Sequence, residues 1–377
     1  MRVLQLSKFY PPVAGGIESV AWELTEGLRR HGVAVDVLCS HSRYPGVAEH
    51  LPGGGEIRRA GKLGTVMSTS IAPSMPWHLA RMARHSDIVH LHMPDPMAAA
   101  AFWLARPACR LVVHWHSDVI RQRRALWAYE PLQDWLLGRA DAVVATSPPY
   151  AQASRPLARW RDKVEVVPIG ISDNRGEACS LQAAALRRRF RDRRLVFALG
   201  RMTYYKGFDV LIEAAAALPD DCAVLIGGDG ELLERFRSMV NHLGLAGKVH
   251  LLGHIPDHEL ASHFEACDVF CMSSTVRAEA YGVAMLEAMV MGKPIVATDL
   301  PGSGVPWVNR DGETGYNVPA GDRAALAGAL ARLLTDDALR ARCGAAARRR
   351  YEQEFGGALM STRMLHLYQR LAPPLNA

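Results

Sequence analysis

The 377-residue sequence predicts an α/β protein of two domains, each a parallel sheet flanked by helices. Three observations carry this. The chain is too long for one ordinary core and suits two of roughly 150 to 200 residues. Short β-branched or apolar runs alternate with helical stretches throughout, as strands joined by right-handed crossovers do. Glycine-bearing loops recur where a strand hands over to a helix, the place where open α/β sheets bind ligands.

In the first half the predicted strands are Val3–Ser7, Ala34–Cys39, Asp87–His92, Arg110–His114, Ala142–Thr146 and Val164–Pro168, with amphipathic helices at Ile17–His31 and Pro96–Ala105. In the second half they are Leu195–Leu199, Ala223–Gly227, Val249–Leu252, Val269–Met272 and Ile295–Thr298. The helices there are Gly207–Leu218, Glu231–Leu243, Val283–Met291 and Arg323–Leu334. The strand pattern stops after Ile169-Gly170-Ile171, where an irregular charged segment leads to a basic helix. The expected domains are therefore 1–171 and 172–356, both Rossmann-like. Placed face to face, they would line a cleft with strand-end loops.

Apolar residues make up 49% of the chain and charged ones 22%, ordinary for a folded protein with two buried sheets. The net charge of +6 favours anionic partners without choosing among them. The runs Arg187-Arg188-Arg189 and Arg348-Arg349-Arg350 have no aromatic platform or nucleic-acid-binding motif beside them, so they read as solvated helix faces and no nucleic acid is expected. The seven cysteines are odd in number and scattered; Cys39, Cys222, Cys267 and Cys271 read as buried thiols in a reducing compartment. The N-terminus reads as a first strand rather than a signal peptide. The longest apolar run, Met97–Ala105, falls far short of the roughly 20 residues that span a bilayer. The expectation is a cytoplasmic protein, at most peripheral on the inner face of the membrane.

The loop Phe9-Tyr10-Pro11-Pro12-Val13-Ala14-Gly15-Gly16 runs from the first strand into the first helix. Gly15 and Gly16 either let backbone N–H groups approach a phosphate or serve a turn needing positive φ. The run matches neither G-x-G-x-x-G nor a Walker loop. After a later strand, Gly200-Arg201-Met202-Thr203-Tyr204-Tyr205-Lys206-Gly207 again enters a helix. Arg201 and Lys206 can converge on one diphosphate, a fork and a mobile point charge; the bland reading is two solvated cations.

The third motif is Glu279-Ala280-Tyr281-Gly282-Val283-Ala284-Met285-Leu286-Glu287. Along one helix, eight residues would turn the two carboxylates about 80° apart. Gly282 resolves this if Glu279 lies in the loop and the helix starts just after the glycine. The helix N-terminus at Tyr281-Gly282-Val283 then aims N–H groups at phosphate, while Glu287 reaches a ribose diol. A dipole partner at Glu279 and a plain helix-face Glu287 remain the alternative. No Asp-x-Asp occurs anywhere, so cations and helix N-termini are expected to neutralise a leaving diphosphate, with no metal and no cofactor. His90 and His92 share one strand face, as do His114 and His116, yet no Cys or carboxylate pattern completes a zinc site. His90 and His114 read as ordinary strand histidines and His116 as pointing into the cleft.

Together these motifs resemble the retaining family 4 of glycosyltransferases with the GT-B fold: a Gly-Gly first loop, a cleft His, the Arg–Lys pair, and Glu-x7-Glu followed by Ala-Met-x-x-Gly-Lys-Pro-Ile-Val. The resemblance spans nearly the whole chain. It implies that Arg201 and Lys206 bind the donor diphosphate, Glu287 the ribose and Glu279 the transferred sugar. Gly15 and Gly16 would approach the phosphates and sugar, with His116 near the reacting centre. His116, Arg201, Lys206 and Glu279 are thus the implied catalytic set. The final helix, about residues 357–371, would cross back to the N-terminal domain. Where many relatives carry Phe, this chain has Tyr281, which leaves ring packing intact.

Arg277-Ala278-Glu279-Ala280-Tyr281-Gly282 and Ser303-Gly304-Val305-Pro306-Trp307-Val308 further resemble bacterial O-antigen and exopolysaccharide enzymes. Transfer of mannose or rhamnose from a GDP-sugar to a lipid-linked or saccharide acceptor is expected, with a UDP-sugar as the alternative donor. Family membership also implies retention, the acceptor hydroxyl attacking from the leaving-group face. Basic residues interleaved with Trp (Arg121, Arg123, Arg124, Trp127, Trp135 and Arg139, then Arg155, Arg159, Trp160, Arg161 and Lys163) suit either an anionic membrane bearing a polyprenyl-linked acceptor or a solvated face. Two rival readings are a nucleotide-sugar epimerase and a non-catalytic nucleotide-sugar sensor.

Overall fold

The computed structural model describes residues 1–13, 15–119, 123–173, 175, 177–191 and 193–372, with only the backbone for 123–126, 128, 177 and 178. Ala14 and Arg121 lie outside the described residues, as do the side chains of Arg123 and Arg124. The chain forms two compact units, Met1–Ser172 with Gly357–Ala377, and Asp173–Gly356.

The first unit holds an eight-stranded sheet. Its order is Val164–Val166, Ala142–Ala145, Arg110–Trp115, Ile88–Met93, Arg2–Ser7, Ala34–Ser40, Glu56–Ala60 and Val47–His50. All neighbours pair in parallel except the last two strands. Ile88–Met93 is buried at every residue, as expected of a strand covered on both faces. The helix Gly357–Leu371 packs on Gly16–Arg30, where Gly27 permits the approach: a Cβ there would lie 2.5 Å from Ser361 Cβ.

The second unit holds a six-stranded parallel sheet ordered Val249–Gly253, Cys222–Gly227, Arg194–Leu199, Val269–Met272, Ile295–Asp299 and Gly315–Pro319. Its core includes Phe197, Phe264 and Phe270, whose rings meet one another. All seven cysteines are free, and the four placed in or beside strands are buried.

Each predicted strand forms, within two residues at either end, and each predicted helix is found, although Gly207–Leu218 contracts to Phe208–Ala215. Several elements escape the pattern. The strand Val47–His50 is exposed throughout, and the hairpin Gly64–Val66 with Thr69–Ile71 is too short and polar for alternation to be read. The helices Met75–Ala83, Arg123–Arg139, Asp257–Ala266 and Asp337–Arg350 are likewise additional to those read from periodicity.

In each sheet successive crossovers reverse direction beside the first strand, and loops splay apart at such a switch point. In the first unit the switch lies between Arg2–Ser7 and Ile88–Met93; in the second it lies between Arg194–Leu199 and Val269–Met272. The segments leaving three of these four strands carry Gly15, Arg201, Lys206, Glu279, Tyr281 and Gly282, while His116 follows Arg110–Trp115.

Candidate active site

The loop after Arg194–Leu199 begins with Gly200 and ends in a 3-10 turn, Tyr204–Lys206. Gly207 then adopts φ 63° and caps the helix Phe208–Ala215. A side chain at Gly207 would collide with Ser273 O, 2.0 Å from the Cβ position, so the loop after the neighbouring strand can pass directly against it. Two hydrogen bonds lock the loops together: Ser273 Oγ donates to Lys206 O (3.0 Å) and Thr275 N to Tyr205 O (2.8 Å).

This locking brings Lys206 Nζ within 2.6 Å of Glu279 Oε2, in side chains only 13% and 11% exposed. Ser274 Oγ donates to the same carboxylate oxygen at 3.1 Å. Burial would lower the Lys206 pKa, but the Glu279 carboxylate outweighs it and holds the ammonium above its ordinary value. Gly200 makes room for the lysine, since a Cβ there would lie 2.8 Å from Lys206 Cε. Arg201 is exposed, with no acid in ion-pair reach among the described residues.

Glu279 lies outside the helix. Its carbonyl accepts from Ser303 Oγ, and Ala280 O accepts from Gly304 N at 2.7 Å. Gly282, at φ 83°, caps the helix Val283–Val290, so the open N–H groups of the first turn begin just beyond the Lys206–Glu279 pair. Glu287 sits one turn in, partly buried. Burial pushes its carboxyl up to about 7, with a smaller contribution from the charge of Asp257. Tyr281 turns inward at 3% exposure, its ring centroid 6.4 Å from those of Trp307 and Phe355. Its ring is a core group, and only its backbone is left to meet a ligand.

In the first unit Gly15 caps the helix Gly16–Arg30 in an extended conformation, so positive φ is not what this glycine supplies. A Cβ on Gly15 would meet Glu18 Oε2 at 2.2 Å, because that carboxylate folds over the helix N-terminus; around Gly16 the space is open. The pairing of His92 with His114 in adjacent strands gathers both His-x-His rows on one face. His114 stacks on His116 with centroids 4.1 Å apart, and His92 stacks on His116 at 5.2 Å. His116 is 6% exposed. Burial lowers all four pKa values, that of His114 to about 3, so the rings are neutral.

Two family descriptions match successive halves of the chain: Glycosyltransferase Family 4 over residues 14–175 and Glycosyl transferases group 1 over residues 186–350. The O-antigen chain mannosyltransferase C of Escherichia coli is 31% identical, the match covering 98% of this chain and 99% of that one. A D-rhamnosyltransferase of Pseudomonas aeruginosa is 32% identical over 94% of this chain and 92% of its own. The chain is a family 4 glycosyltransferase. The fold agrees: the Anabaena protein HepE, crystallised with UDP and glucose, superposes with a TM-score of 0.78 at 21% identity, covering 98% of this chain and 100% of that one. Both sheets of this glycosyltransferase are those of the GT-B fold, and the epimerase and sensor readings are not favoured.

The strand histidines His90 and His114 belong to a cluster. The ligating nitrogens of His90, His92 and His114 lie within 4.8 Å of one another, and His116 stacks on His114. A metal there would have to displace existing bonds, because both ring nitrogens of His90 and of His92, and Nδ1 of His114, are already partnered.

Several residues of the basic, Trp-bearing segments are engaged within the first unit. Arg139 pairs with Asp141, Arg159 with Asp134, and Lys163 Nζ donates to the carbonyls of Gly138 and Ala140. Trp160 donates to Asp134, and Trp135 packs near Phe102. Trp127 stays 81% exposed. Among the described residues no helix is long and apolar enough to cross a membrane.

Sequence reasoning also missed Asp95. Its Oδ1 accepts from Met97 N at the start of the helix Pro96–Ala105, while Oδ2 is buried without a partner. Burial pushes this carboxyl up to about 6. An Asp-Pro pair reads as an ordinary helix cap, and nothing in the sequence distinguishes a buried one.

Proposed function

We propose that this glycosyltransferase moves mannose or rhamnose from a GDP-sugar, with retention and without a metal, to a lipid-linked or saccharide acceptor in surface polysaccharide assembly. The full-length kinship with an O-antigen mannosyltransferase and a D-rhamnosyltransferase supports the donor sugar and the pathway. The observation that carries the site assignment is the Lys206–Glu279 pair at 2.6 Å beside the N-terminus of Val283–Val290.

In this reading Lys206, Arg201 and the amides after Gly282 take the diphosphate, and their positive charge stabilises it as the glycosidic C–O bond breaks. Glu287 holds the ribose. Glu279 accepts hydrogen bonds from hydroxyls of the transferred sugar and restrains Lys206 until phosphate arrives. Gly15, Gly16 and His116 are assigned to the same donor by the family pattern. The acceptor hydroxyl attacks from the leaving-group side and gives its proton to a phosphate oxygen. A polyprenyl-linked acceptor would be met at an anionic membrane surface, with the exposed Trp127 of the first unit as the contact.

Thermal denaturation with GDP-mannose, GDP-rhamnose, UDP-glucose and ADP-glucose, each with and without EDTA, tests this reading. Bound donor raises stability as RT ln(1 + [L]/Kd). A rise with a GDP-sugar that survives chelation is expected. A response to UDP-glucose alone, or one abolished by EDTA, sinks the donor or the metal-free assignment respectively.

A further inference from the structure

The stacked histidines contain a directed hydrogen-bond chain. Gln5, fully buried on the first strand, turns Oε1 to His92 Nε2 at 2.9 Å. A carbonyl oxygen only accepts, so His92 carries its proton on Nε2 and presents a lone pair at Nδ1. That Nδ1 lies 2.9 Å from His116 Nε2. His116 must therefore donate from Nε2, which leaves a lone pair on its Nδ1, a nitrogen with no hydrogen-bond partner among the described residues.

We propose that Gln5 and His92 are positioning residues that fix His116 as the Nε2–H tautomer, with Nδ1 an obligate acceptor for a sugar hydroxyl. This use of the lone pair rests on the assignment of His116 to the sugar donor in the proposed function; the tautomer itself does not. Three features support a built device. Gln5 and His92 come from neighbouring strands of the switch point, so their spacing is set by sheet register and not by a loop. The ring planes of His92 and His116 are near-parallel, 14° apart, with the Nδ1···Nε2 contact at 2.9 Å between two buried side chains. Burial keeps both rings neutral, so each has one donor and one acceptor nitrogen and the direction set at Gln5 passes through. A hydroxyl-binding imidazole left to choose its tautomer would spend part of its time with a competing N–H aimed at the sugar.

The test is the ring-nitrogen spectrum of full-length protein labelled with 15N-histidine, the His116 signals assigned by their loss in His116→Asn. Wild type should show His116 with the proton on Nε2 and a bare Nδ1. His92→Phe, which keeps the stack but removes the acceptor, should give a mixture of tautomers. His92→Asn, whose Oδ1 can still accept, should restore the single form. In transfer assays His92→Phe should lower kcat about five- to tenfold, the worth of one hydrogen bond, with donor KM within about twofold, and His92→Asn should recover most of it.

A wild-type spectrum with the proton on Nδ1 overturns the proposal without any variant. An unchanged His116 tautomer in a folded His92→Phe protein does the same. A single Nε2–H form combined with full transfer by His116→Ala supports the relay but removes its catalytic use, which is a failure of the site reading and not of the tautomer assignment.

Discussion

Lys206 Nζ and Glu279 Oε2 stand 2.6 Å apart across the switch point of the second unit, where the two loops are joined by a main-chain bond and by the Ser273 hydroxyl. Removing one partner strands the other in a partly dry site. Lys206→Met should therefore cost about 3 kcal/mol of stability and about two to three orders of magnitude in transfer rate. Adding Glu279→Gln should recover most of the stability and none of the activity. Chemical denaturation and a donor-turnover assay on the single and double variants separate the two effects. Transfer near the wild-type rate in Lys206→Met would remove the lysine from the mechanism.

Gly200 is the floor on which the lysine lies. A methyl group there meets Lys206 Cε at 2.8 Å and Nζ at 3.0 Å, the far end of a flexible side chain that can shift. Gly200→Ala should thus leave the fold intact, with a melting temperature within about 2 °C of wild type. It should still slow transfer about tenfold, because the ammonium is moved off its position. A large fall in melting temperature would show that the glycine serves the backbone instead.

The four clustered, buried histidines make the protein sensitive to acid. Their pKa values are lowered in the fold, so between the folded values and about 6.5 the unfolded chain binds protons that the native state refuses. Stability is complete above pH 6.5 and falls as pH falls below it. For His114, held at about 3, the loss is about 1.4 kcal/mol per pH unit, or about 2 kcal/mol by pH 5. Denaturant midpoints from pH 7.5 to 5 should decline accordingly, and His114→Phe should flatten the curve. A midpoint independent of pH over this range would contradict the burial of the cluster.

Much of this was legible in sequence because the informative features are local. Buried parallel strands are continuous apolar runs, and Gly282 announces a helix start that carries Glu279 and Glu287 to their places. The histidine relay was not legible. Its bonds depend on the register that sets His92 beside His114, on Gln5 some 87 residues away, and on Tyr368, which reaches His90 from the last helix at 2.7 Å. Spacing within one strand shows only that two rings share a face. The inward turn of Tyr281 was hidden for the same reason: its aromatic partners Trp307 and Phe355 come from elsewhere in the chain.

The burial of Glu287 works against stability at high pH, and the ribose role proposed for it gives the same carboxylate a second readout. Its carboxyl, raised to about 7, binds a proton in the fold that the unfolded chain releases near 4.5. The native state is therefore fully favoured only below the unfolded value, and stability is lost as pH rises through 7. By pH 8 the charge costs up to about 3 kcal/mol. Glu287→Gln removes that cost, so the variant should be more stable than wild type at pH 8 and close to it at pH 5. It should also bind donor nucleotide more weakly, by about tenfold or more, because a charged acceptor for the ribose hydroxyls is lost. Melting curves at the two pH values and a titration with GDP measure both. If the variant is destabilised at pH 8, the carboxylate has a partner that repays its burial; if GDP binds it as tightly as wild type, Glu287 does not hold the ribose.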